Sequence, residues 1–200
     1  MQKQKNANRL NGKDLMNVGI FTAINLVIAV AGACTIGMIP LGFMLYAGIG
    51  PILLGIPMML YFTRIKKFGM LFIFQLVDGV LLLLTGMGPN ALLCGIVTAL
   101  LAELILRAGR YQSAKHAILA YMVLGLASCA NYIEWINASA SWLDEKAVSY
   151  GETYMYTVAG YFTYWWTFPA LLGGALLGGL LGGLLGRAVL KKHFVRSGLL

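Results

Sequence analysis

The sequence has very little charge. Asp, Glu, Lys and Arg make up only 11% of its 200 residues, whereas an average soluble domain carries about a quarter. Hydrophobic residues make up 60%. So few charged side chains cannot cover a surface that faces water, and this excludes an ordinary water-soluble domain of this size. We therefore expect lipid to be the solvent for much of the chain.

Residues that bind metals or form disulfides are also scarce. The three cysteines, Cys34, Cys94 and Cys129, are unevenly spaced and form no CxxC pair, which argues against a disulfide framework and against a zinc site. The two histidines, His116 and His193, both fall on the predicted cytoplasmic side, so they cannot form an outward-facing metal site. We predict neither a metal nor a cofactor.

The motifs of the common enzyme classes are missing. The sequence contains no GxSxG, HExxH or Walker A motif, and no Ser/His or two-Asp arrangement at membrane depth that could serve intramembrane proteolysis. It has no filter motif of a channel, although an oligomeric pore stays open, and no internal repeat typical of inverted-repeat transporters. We predict a protein that is not itself an enzyme.

What the chain does contain is six long apolar runs. They lie at about 15–37, 41–62, 69–86, 90–108, 116–135 and 161–188. We predict an all-α polytopic membrane protein in which residues 15–190 form a bundle of six transmembrane helices. Residues 1–14 and 191–200 are predicted to be basic segments at its two ends.

The positive charges lie between the apolar runs. Fourteen of the 15 Lys and Arg residues fall into four clusters, and only Lys146 lies elsewhere. In a six-span chain all four clusters share one side, which the positive-inside rule makes the cytoplasmic side. We therefore predict a protein of the bacterial cytoplasmic membrane with both termini inside, and no nucleic-acid partner. The clusters are Lys3, Lys5, Arg9 and Lys13; Arg64, Lys66 and Lys67; Arg107, Arg110 and Lys115; and Arg187, Lys191, Lys192 and Arg196.

The longest loop, at about 136–160, is predicted to lie outside. It contains Asp144, Glu145 and Glu152 together with several Ser and Tyr residues. It is long enough to fold over the mouth of a cavity as a lid, and a merely solvated loop fits the composition equally well.

Small residues recur at helical spacing in two spans. Rows of this kind let helix backbones approach closely in lipid, and we expect most of them to pack within the bundle. The first span carries the pairs Gly19–Ala23 and, nearer the outside, Ala29–Ala33. The last span carries one row at Ala170, Gly174, Gly178, Gly182 and Gly186, and a second at Gly179 and Gly183.

Asp78 is an ionisable residue near the middle of the third span. A carboxylate there costs roughly 2.5–3.5 kcal/mol on insertion scales, so such residues usually face the interior and serve a function. Gln75 and Asn25 are its possible partners, and the sequence leaves open an interhelical clamp and a contact to a ligand. By contrast, Glu103 precedes Arg107 by four residues, and we expect these two to form a structural ion pair.

Polar and aromatic residues gather at the outer ends of the last spans. Asn131, Glu134 and Trp135 are predicted to share one face of the fifth helix by their i, i+3, i+4 spacing. The last span opens with Tyr161, Tyr164, Trp165, Trp166 and Phe168, which fit either the aromatic belt of the membrane interface or the wall of a pocket. We predict an organic ligand between these residues and the 85–90 turn, which ends at Asn90.

Two terminal motifs resemble a known family. The opening segment from Asn11 to Ile24, NGKDLMNVGIFTAI, and the closing segment from Lys191 to Gly198, KKHFVRSG, resemble the two ends of the Trep_Strep family. Members of that family are thought to be substrate-binding (S) components of energy-coupling factor (ECF) transporters. Chain length and the six-span plan agree, so the resemblance covers nearly the whole chain.

The resemblance implies a mechanism and a set of partners. An S component captures a vitamin-like organic micronutrient outside, docks on a transmembrane coupling protein that carries two ATPases, and topples in the membrane to release its substrate inside. The family docks through small residues of the first helix, which here implies Gly19 and Ala23, with Ala29 and Ala33 as the second choice. Gly19 replaces the first alanine of the usual Ala-xxx-Ala motif.

The substrate-binding residues predicted from the sequence are Asp78, Asn90, Asn131, Glu134, Trp135, Tyr164 and Trp165. Two other functions remain open at this point. One is a stand-alone, proton-coupled secondary transporter that uses Asp78 as its carrier. The other is a membrane scaffold with no small ligand.

Overall fold

The architecture is a bundle of helices joined by short connections. A computed structural model describes residues 10–65, 67–85 and 88–193, and all regular secondary structure within those ranges is helical. In chain order the helices are α1 (Gly12–Ile36), α2 (Pro40–Leu53), α3 (Gly55–Arg64), α4 (Met70–Leu84), α5 (Asn90–Ala108), α6 (Ala114–Gly125), the 3-10 helix η1 (Leu126–Trp135), α7 (Ala140–Tyr150), α8 (Glu152–Tyr161) and α9 (Thr167–His193).

Five segments of the described chain are long and apolar enough to cross a membrane. They are Gly12–Ile36, Pro40–Arg64, Asn90–Ala108, Ala114–Trp135 and Thr167–Lys192. The second consists of α2 and α3, which meet at Leu54, and the fourth consists of α6 and η1. The predicted third span, 69–86, is shorter than expected, since α4 has only 15 residues. At 1.5 Å per residue it is about 22 Å long, against about 30 Å for a bilayer core.

The short helix α4 nevertheless runs antiparallel to α5 along most of that helix. Its start is joined to the far end of α5 by a hydrogen bond from the Gly69 N–H to Glu103. Further along, Gln75 contacts Gly95, and Gly79 contacts Leu92. Because the register advances steadily in opposite directions, α4 covers most of the length of α5. It starts beside Glu103, more than one helical turn short of Ala108, where α5 ends.

Local backbone conformation determines where α4 starts and where it ends. Gly69, which precedes the helix, has φ +98°, a left-handed conformation that favours glycine and that stops the helix from extending backwards. At the other end the helix stops at Leu84, where Thr85 is already part of a turn. Residues 86 and 87 of the predicted turn lie outside the described chain.

Glycines hold α9 against α2, α3 and α6, as the four-residue spacing predicted. A Cβ on Gly178 would collide with the carbonyl group of Gly48, and one on Gly182 would collide with that of Pro51. Gly186 meets the carbonyl of Gly55 in the same way, and the second row packs on α6, where Gly179 touches Met122. The expectation that these rows pack within the bundle is therefore confirmed.

The ends of the bundle differ in charge. We call the basic end the one that carries Lys13, Lys67, Arg107, Lys115 and Lys191. There Asn11 and Asp14 form a reciprocal capping box at the start of α1, and Asp14 also forms a salt bridge of 2.6 Å with Lys67. Residues 1–9 and the end of the predicted basic tail lie outside the described chain.

Glu103 has a structural role at the basic end, but its predicted partner is wrong. Its fully buried carboxylate accepts hydrogen bonds from the backbone N–H groups of Gly69 (2.6 Å) and Phe72 (3.1 Å). It therefore caps the first turn of α4 from a neighbouring helix, where free N–H groups and the helix dipole favour a negative charge. The guanidinium of Arg107 instead lies 5.7 Å from the ring centre of Phe68.

The predicted outer loop at 136–160 is mostly helical. Its residues form α7 and α8, a helical hairpin that lies over the opposite end of the bundle, which we call the hairpin end. Leu143 of α7 and Met155 and Val158 of α8 pack with Trp135 in a small hydrophobic cluster. The predicted sixth span also begins later than expected, because α9 starts at Thr167 rather than at about 161.

Two tyrosines hold the hairpin in place. The Tyr154 hydroxyl donates to the carbonyl oxygen of Gly37 at 2.8 Å and so ties α8 to the end of α1. The Tyr156 hydroxyl donates to Asp144 at 2.7 Å and ties α8 to α7. This hydrogen bond raises the pKa of Tyr156, since the neighbouring carboxylate stabilises the protonated phenol.

Candidate functional site

The centre of the candidate site is the 3-10 helix η1. It has ten residues, whereas 3-10 helices longer than three or four residues are uncommon and often mark a functional segment. With three residues per turn, side chains three apart line up along the helix. Ser128, Asn131 and Glu134 therefore form one row, which we call the polar row, and Cys129, Tyr132 and Trp135 form another, which we call the aromatic row.

This geometry corrects one prediction. The spacing i, i+3, i+4 was expected to place Asn131, Glu134 and Trp135 on one face, which holds for an α-helix of 3.6 residues per turn. In η1 only Asn131 and Glu134 share a row, and Trp135 lies about 120° away beside Tyr132.

The polar row leads inward from the turn before α5. The Glu134 carboxylate lies 3.4 Å from the Asn90 side-chain nitrogen and packs on Gly88, whose φ of +70° and missing Cβ both suit glycine. Asn131 lies one 3-10 turn deeper, about 6 Å further along. Its side-chain oxygen is buried, and no hydrogen-bond donor within the described ranges reaches it. A ligand that donates a hydrogen bond to this oxygen would be bound more tightly, because the buried acceptor would then be satisfied.

The aromatic row supports the hairpin. The Tyr132 hydroxyl donates to the Phe43 carbonyl at 2.6 Å, and the Phe43 ring packs on Tyr132. The Trp135 ring lies nearly parallel to that of Phe162, with 6.3 Å between centres, and meets Trp142 edge-on at 5.2 Å. These rings form a rigid wall between η1 and the hairpin.

An open cleft of about 450 Å³ lies against this wall. It lies between the end of η1 and the end of α8, and it combines rings with small polar groups, as sites for small organic ligands do. Its lining residues are Trp135, Ile136, Asn137, Ala138, Tyr156, Ala159, Gly160, Phe162 and Thr163.

Of the seven predicted site residues, only Trp135 lines this cleft. Tyr164 is 58% exposed and Trp165 is 86% exposed, and neither lines the cleft. Together with Trp166 they form an exposed aromatic group just before α9, which is typical of the membrane interface. Of the two interpretations left open by the sequence, their placement favours the aromatic belt.

Asp78 lies deeper, within the bundle. It is 7% exposed, and Gln75 and Asn25 are similarly buried. No hydrogen bond or ion pair involving Asp78 is formed within residues 10–65, 67–85 and 88–193, so the hydrogen-bonded clamp considered for Asp78 is not formed. Asp78 thus belongs to the buried face of α4.

Comparison with protein families places this chain. The profile of a family described as hypothetical bacterial integral membrane proteins (Trep_Strep) matches residues 12–196, which include every helix above. The chain belongs to the Trep_Strep family. No curated protein and no solved structure matches it.

As a Trep_Strep protein, the chain is a multi-pass integral membrane protein, in agreement with its five candidate spans. The bounds of the match also agree with the fold, since the profile begins at the first residue of α1. The family description gives no activity, so the sites themselves must indicate the function.

The small residues of α1 in this Trep_Strep protein fall into two groups. Gly19 and Ala23 are exposed, and nothing lies within 4 Å of the position that a Cβ on Gly19 would take. Ala29 and Ala33 are half-buried, and the Ala29 carbonyl accepts a hydrogen bond from Tyr46 of α2 at 2.7 Å. The Ala29–Ala33 pair thus lies at a helix contact within the bundle, whereas the Gly19–Ala23 pair faces away from the bundle.

Clusters of His, Cys and carboxylate side chains are missing from the described chain. Within it, no three His, Cys, Asp or Glu side chains are grouped closely enough to hold an ion, and all three cysteines are free. Sequence reasoning missed Ser128 and Gly88 as site residues. The spacing of Ser128, Asn131 and Glu134 would have revealed the polar row only if a 3-10 helix had been expected.

Proposed function

We propose that this Trep_Strep protein is the substrate-binding S component of an ECF-type importer. In this proposal it captures a small organic micronutrient at the hairpin end and docks through α1 on a coupling protein with two ATPases. The observation that carries the proposal is the open Gly19–Ala23 face near the start of α1.

That face differs from the glycines at which helices of the bundle meet, although Gly173 is equally open. Gly48, Gly55, Gly178, Gly182 and Gly186 each pack on the backbone of a neighbouring helix, so their lack of a side chain is explained by the fold. Gly19 has no such neighbour. Within lipid, helices associate by close packing at small residues, and an open Gly-xxx-Ala surface therefore suits a partner helix. The sequence had left open whether these residues pack internally, and their exposure argues against it.

The hairpin end supports a role in capture. The cleft offers the flat rings of Trp135 and Phe162. The Glu134 carboxylate and the unpaired Asn131 oxygen do not line the cleft and lie on the neighbouring row of the same helix, η1. We therefore propose a ligand with an aromatic or conjugated ring in the cleft and one or two hydrogen-bond donors that reach the polar row. The α7–α8 hairpin lies beside the cleft and could cover a bound ligand by a small movement.

The number of membrane crossings and their orientation are part of the same proposal. Because α4 runs alongside α5, we count it as a sixth crossing, and the basic end then lies wholly in the cytoplasm. The hairpin end faces outward. This arrangement puts the capture site outside and the Gly19–Ala23 face within about two helical turns of the cytoplasmic surface.

The decisive experiment combines two substitutions on α1 with a matched control. The double variant Gly19→Leu, Ala23→Leu should fold and bind ligand but lose uptake and co-purification with the ATPases. Gly173→Leu is the control, since Gly173 is an equally open glycine on α9. It should retain both activities. Normal uptake by a stable double variant would overturn the docking face.

A second candidate function rests on Asp78. A buried carboxylate without a cationic partner at its depth is typical of proton-coupled carriers, which need no ATPase. Uptake by the purified chain alone in proteoliposomes, driven by a pH gradient, would favour this function over an S component.

A further inference from the structure

Three oxygen-bearing side chains are buried on α1 and α4. Thr22 is 2% exposed, Asn25 is 8% exposed and Asp78 is 7% exposed. All three belong to the buried faces of their helices, and α1 packs directly on α4. Burying polar groups in such a position costs free energy unless they form hydrogen bonds or bind an ion.

Three contacting rings indicate the relative depth of Asn25 and Asp78. The Phe21 ring lies 5.2 Å from that of Tyr61, which lies 5.0 Å from that of Phe74. Phe21 and Phe74 are thus level with each other. Asn25 follows Phe21 by four residues and Asp78 follows Phe74 by four, and both helices start at the basic end. Asn25 and Asp78 therefore lie one turn further along, level with each other and above the rings.

Two of the three side chains have unpaired oxygens. The Thr22 hydroxyl oxygen and the Asn25 amide oxygen are buried, and no hydrogen-bond partner for either is found in the part of the chain that the structure describes. Thr22 is unusual here. Thr35, Thr63, Thr98 and Thr157 each donate to a backbone carbonyl three or four residues earlier, as threonines in helices commonly do.

The charge of Asp78 is also uncompensated. The sequence has no Lys or Arg between Lys13 and Arg64, and none between Lys67 and Arg107, so neither α1 nor α4 carries a cation at this depth. On α5, the other helix packed on α4, Thr98 is already bonded to the Cys94 carbonyl. A carboxylate, an amide oxygen and a hydroxyl oxygen are hard donors with one negative charge between them.

We propose that Thr22, Asn25 and Asp78 form a binding site for a small monovalent cation, with Na⁺ as the natural probe. Hard oxygen donors suit such an ion, and a single carboxylate matches a single positive charge. In this proposal the rings of Phe21, Tyr61 and Phe74 lie between the site and the basic end, so the ion enters from the hairpin end. Its binding joins α1 to α4. This site does not depend on the proposed transport function.

The test is a cation titration of the purified chain at constant ionic strength, with NaCl exchanged against choline chloride. Thermal stability should rise with Na⁺, by about 5 °C across two decades above the half-saturating concentration. Radioactive ²²Na⁺ should be retained at one ion per chain. Equal stability in both salts, with no ²²Na⁺ retained, would overturn the site.

Variants then locate the ion. Thr22→Val and Asp78→Asn should raise the half-saturating Na⁺ concentration at least about tenfold, which is the effect of losing roughly one ligand bond. Thr98→Val is the matched control, since Thr98 is a buried threonine that is bonded to its own helix. It should titrate like the unaltered chain. Identical titrations of Thr22→Val and Thr98→Val would overturn the assignment, even if Asp78→Asn fails to fold.

Two further outcomes distinguish the cation site from a protonated Asp78 and from the proposed transport function. Stability that rises on acidification but not with Na⁺ would make Asp78 a protonated contact and would overturn the cation site. Co-purification with a coupling protein and ATPases is measured independently. Its loss would contradict the proposed function alone, whereas a missing Na⁺ response would contradict only the cation site.

Discussion

The Asn90 side-chain nitrogen lies 3.4 Å from the Glu134 carboxylate, although the two residues are 44 positions apart in the chain. This contact joins the start of α5 to the far end of η1 at the hairpin end. It fixes the outer end of the polar row, one turn above the unpaired oxygen of Asn131.

The first prediction concerns the ligand. Asn131→Leu and Glu134→Ala should each weaken the binding of the small molecule that co-purifies with the chain, by about 10–100-fold, because a hydrogen bond to a charged or buried group is lost. Mass spectrometry of the purified protein would identify the molecule, and tryptophan fluorescence would follow its binding. Trp165→Ala is the control and should bind normally, since Trp165 is 86% exposed. The reverse pattern would move the ligand to the aromatic belt.

The second prediction concerns the cap on α4. Glu103→Ala should lower the free energy of unfolding by about 1–3 kcal/mol, because it leaves buried N–H groups of Gly69 and Phe72 without an acceptor. Arg107→Gln should cost less than about 0.5 kcal/mol, since Arg107 is exposed. Thermal unfolding of the two variants in detergent compares them. Equal losses of unfolding free energy in the two variants would instead support the Glu103–Arg107 ion pair expected from the sequence.

The third prediction contrasts two glycines. Gly182→Leu should destabilise the bundle strongly, since its side chain would enter the space of the Pro51 carbonyl and force α9 away from α2. Gly19→Leu should leave thermal stability unchanged to within about 0.5 kcal/mol, because its side chain points into open space. A large loss of stability in Gly19→Leu would mean that this face packs internally.

The fourth prediction concerns orientation. In a variant without the three native cysteines, a cysteine at Ser149 on α7 should react with a membrane-impermeant reagent added to whole cells. A cysteine at Gln112, in the turn between α5 and α6, should react only after the cells are opened. Both positions are exposed, so access alone decides the result. Labelling of a cysteine at position 112 from outside would contradict the predicted orientation.

The fifth prediction concerns the hairpin. Tyr154→Phe removes the hydroxyl that donates to the Gly37 carbonyl and keeps the ring, so the bundle should remain stable while α8 exchanges its amide hydrogens faster. Tyr150→Phe is a suitable control because Tyr150 is 66% exposed. Unchanged exchange in Tyr154→Phe would show that the aromatic row alone holds the hairpin.

The sequence predicted the bundle because long apolar runs and rows of small residues depend only on local composition and spacing. Gly178, Gly182 and Gly186 pack as their spacing indicated. Glu103 shows where this reasoning ends. The i, i+4 rule considers one helix at a time, whereas the Glu103 carboxylate caps a different helix, whose N-cap residue Gly69 lies 34 residues earlier in the chain.

The candidate site was harder to predict, since the period of the fifth span changes along its length. An α-helical period placed Trp135 beside Asn131, but the 3-10 geometry of η1 separates them. Tyr164 and Trp165 are amphipathic side chains that suit a pocket and a membrane interface equally well, and only their exposure distinguishes the two. The spacing of Gly19 and Ala23 likewise does not reveal whether a neighbouring helix packs on them. Only the structure shows that Gly19 has no neighbour within the bundle.

The shortness of α4 has a consequence for the surrounding lipid. Its outer surface carries Val77, Val80, Leu83 and Leu84, all exposed, over a helix of about 22 Å beside an α5 of about 28 Å. If α4 crosses the membrane as proposed, acyl chains that cover this side must shorten or tilt, so the bilayer thins locally on that flank of the protein. Such one-sided mismatch stores elastic energy in the membrane, favours short-chain lipids as neighbours, and lowers the cost of tilting the bundle toward that flank.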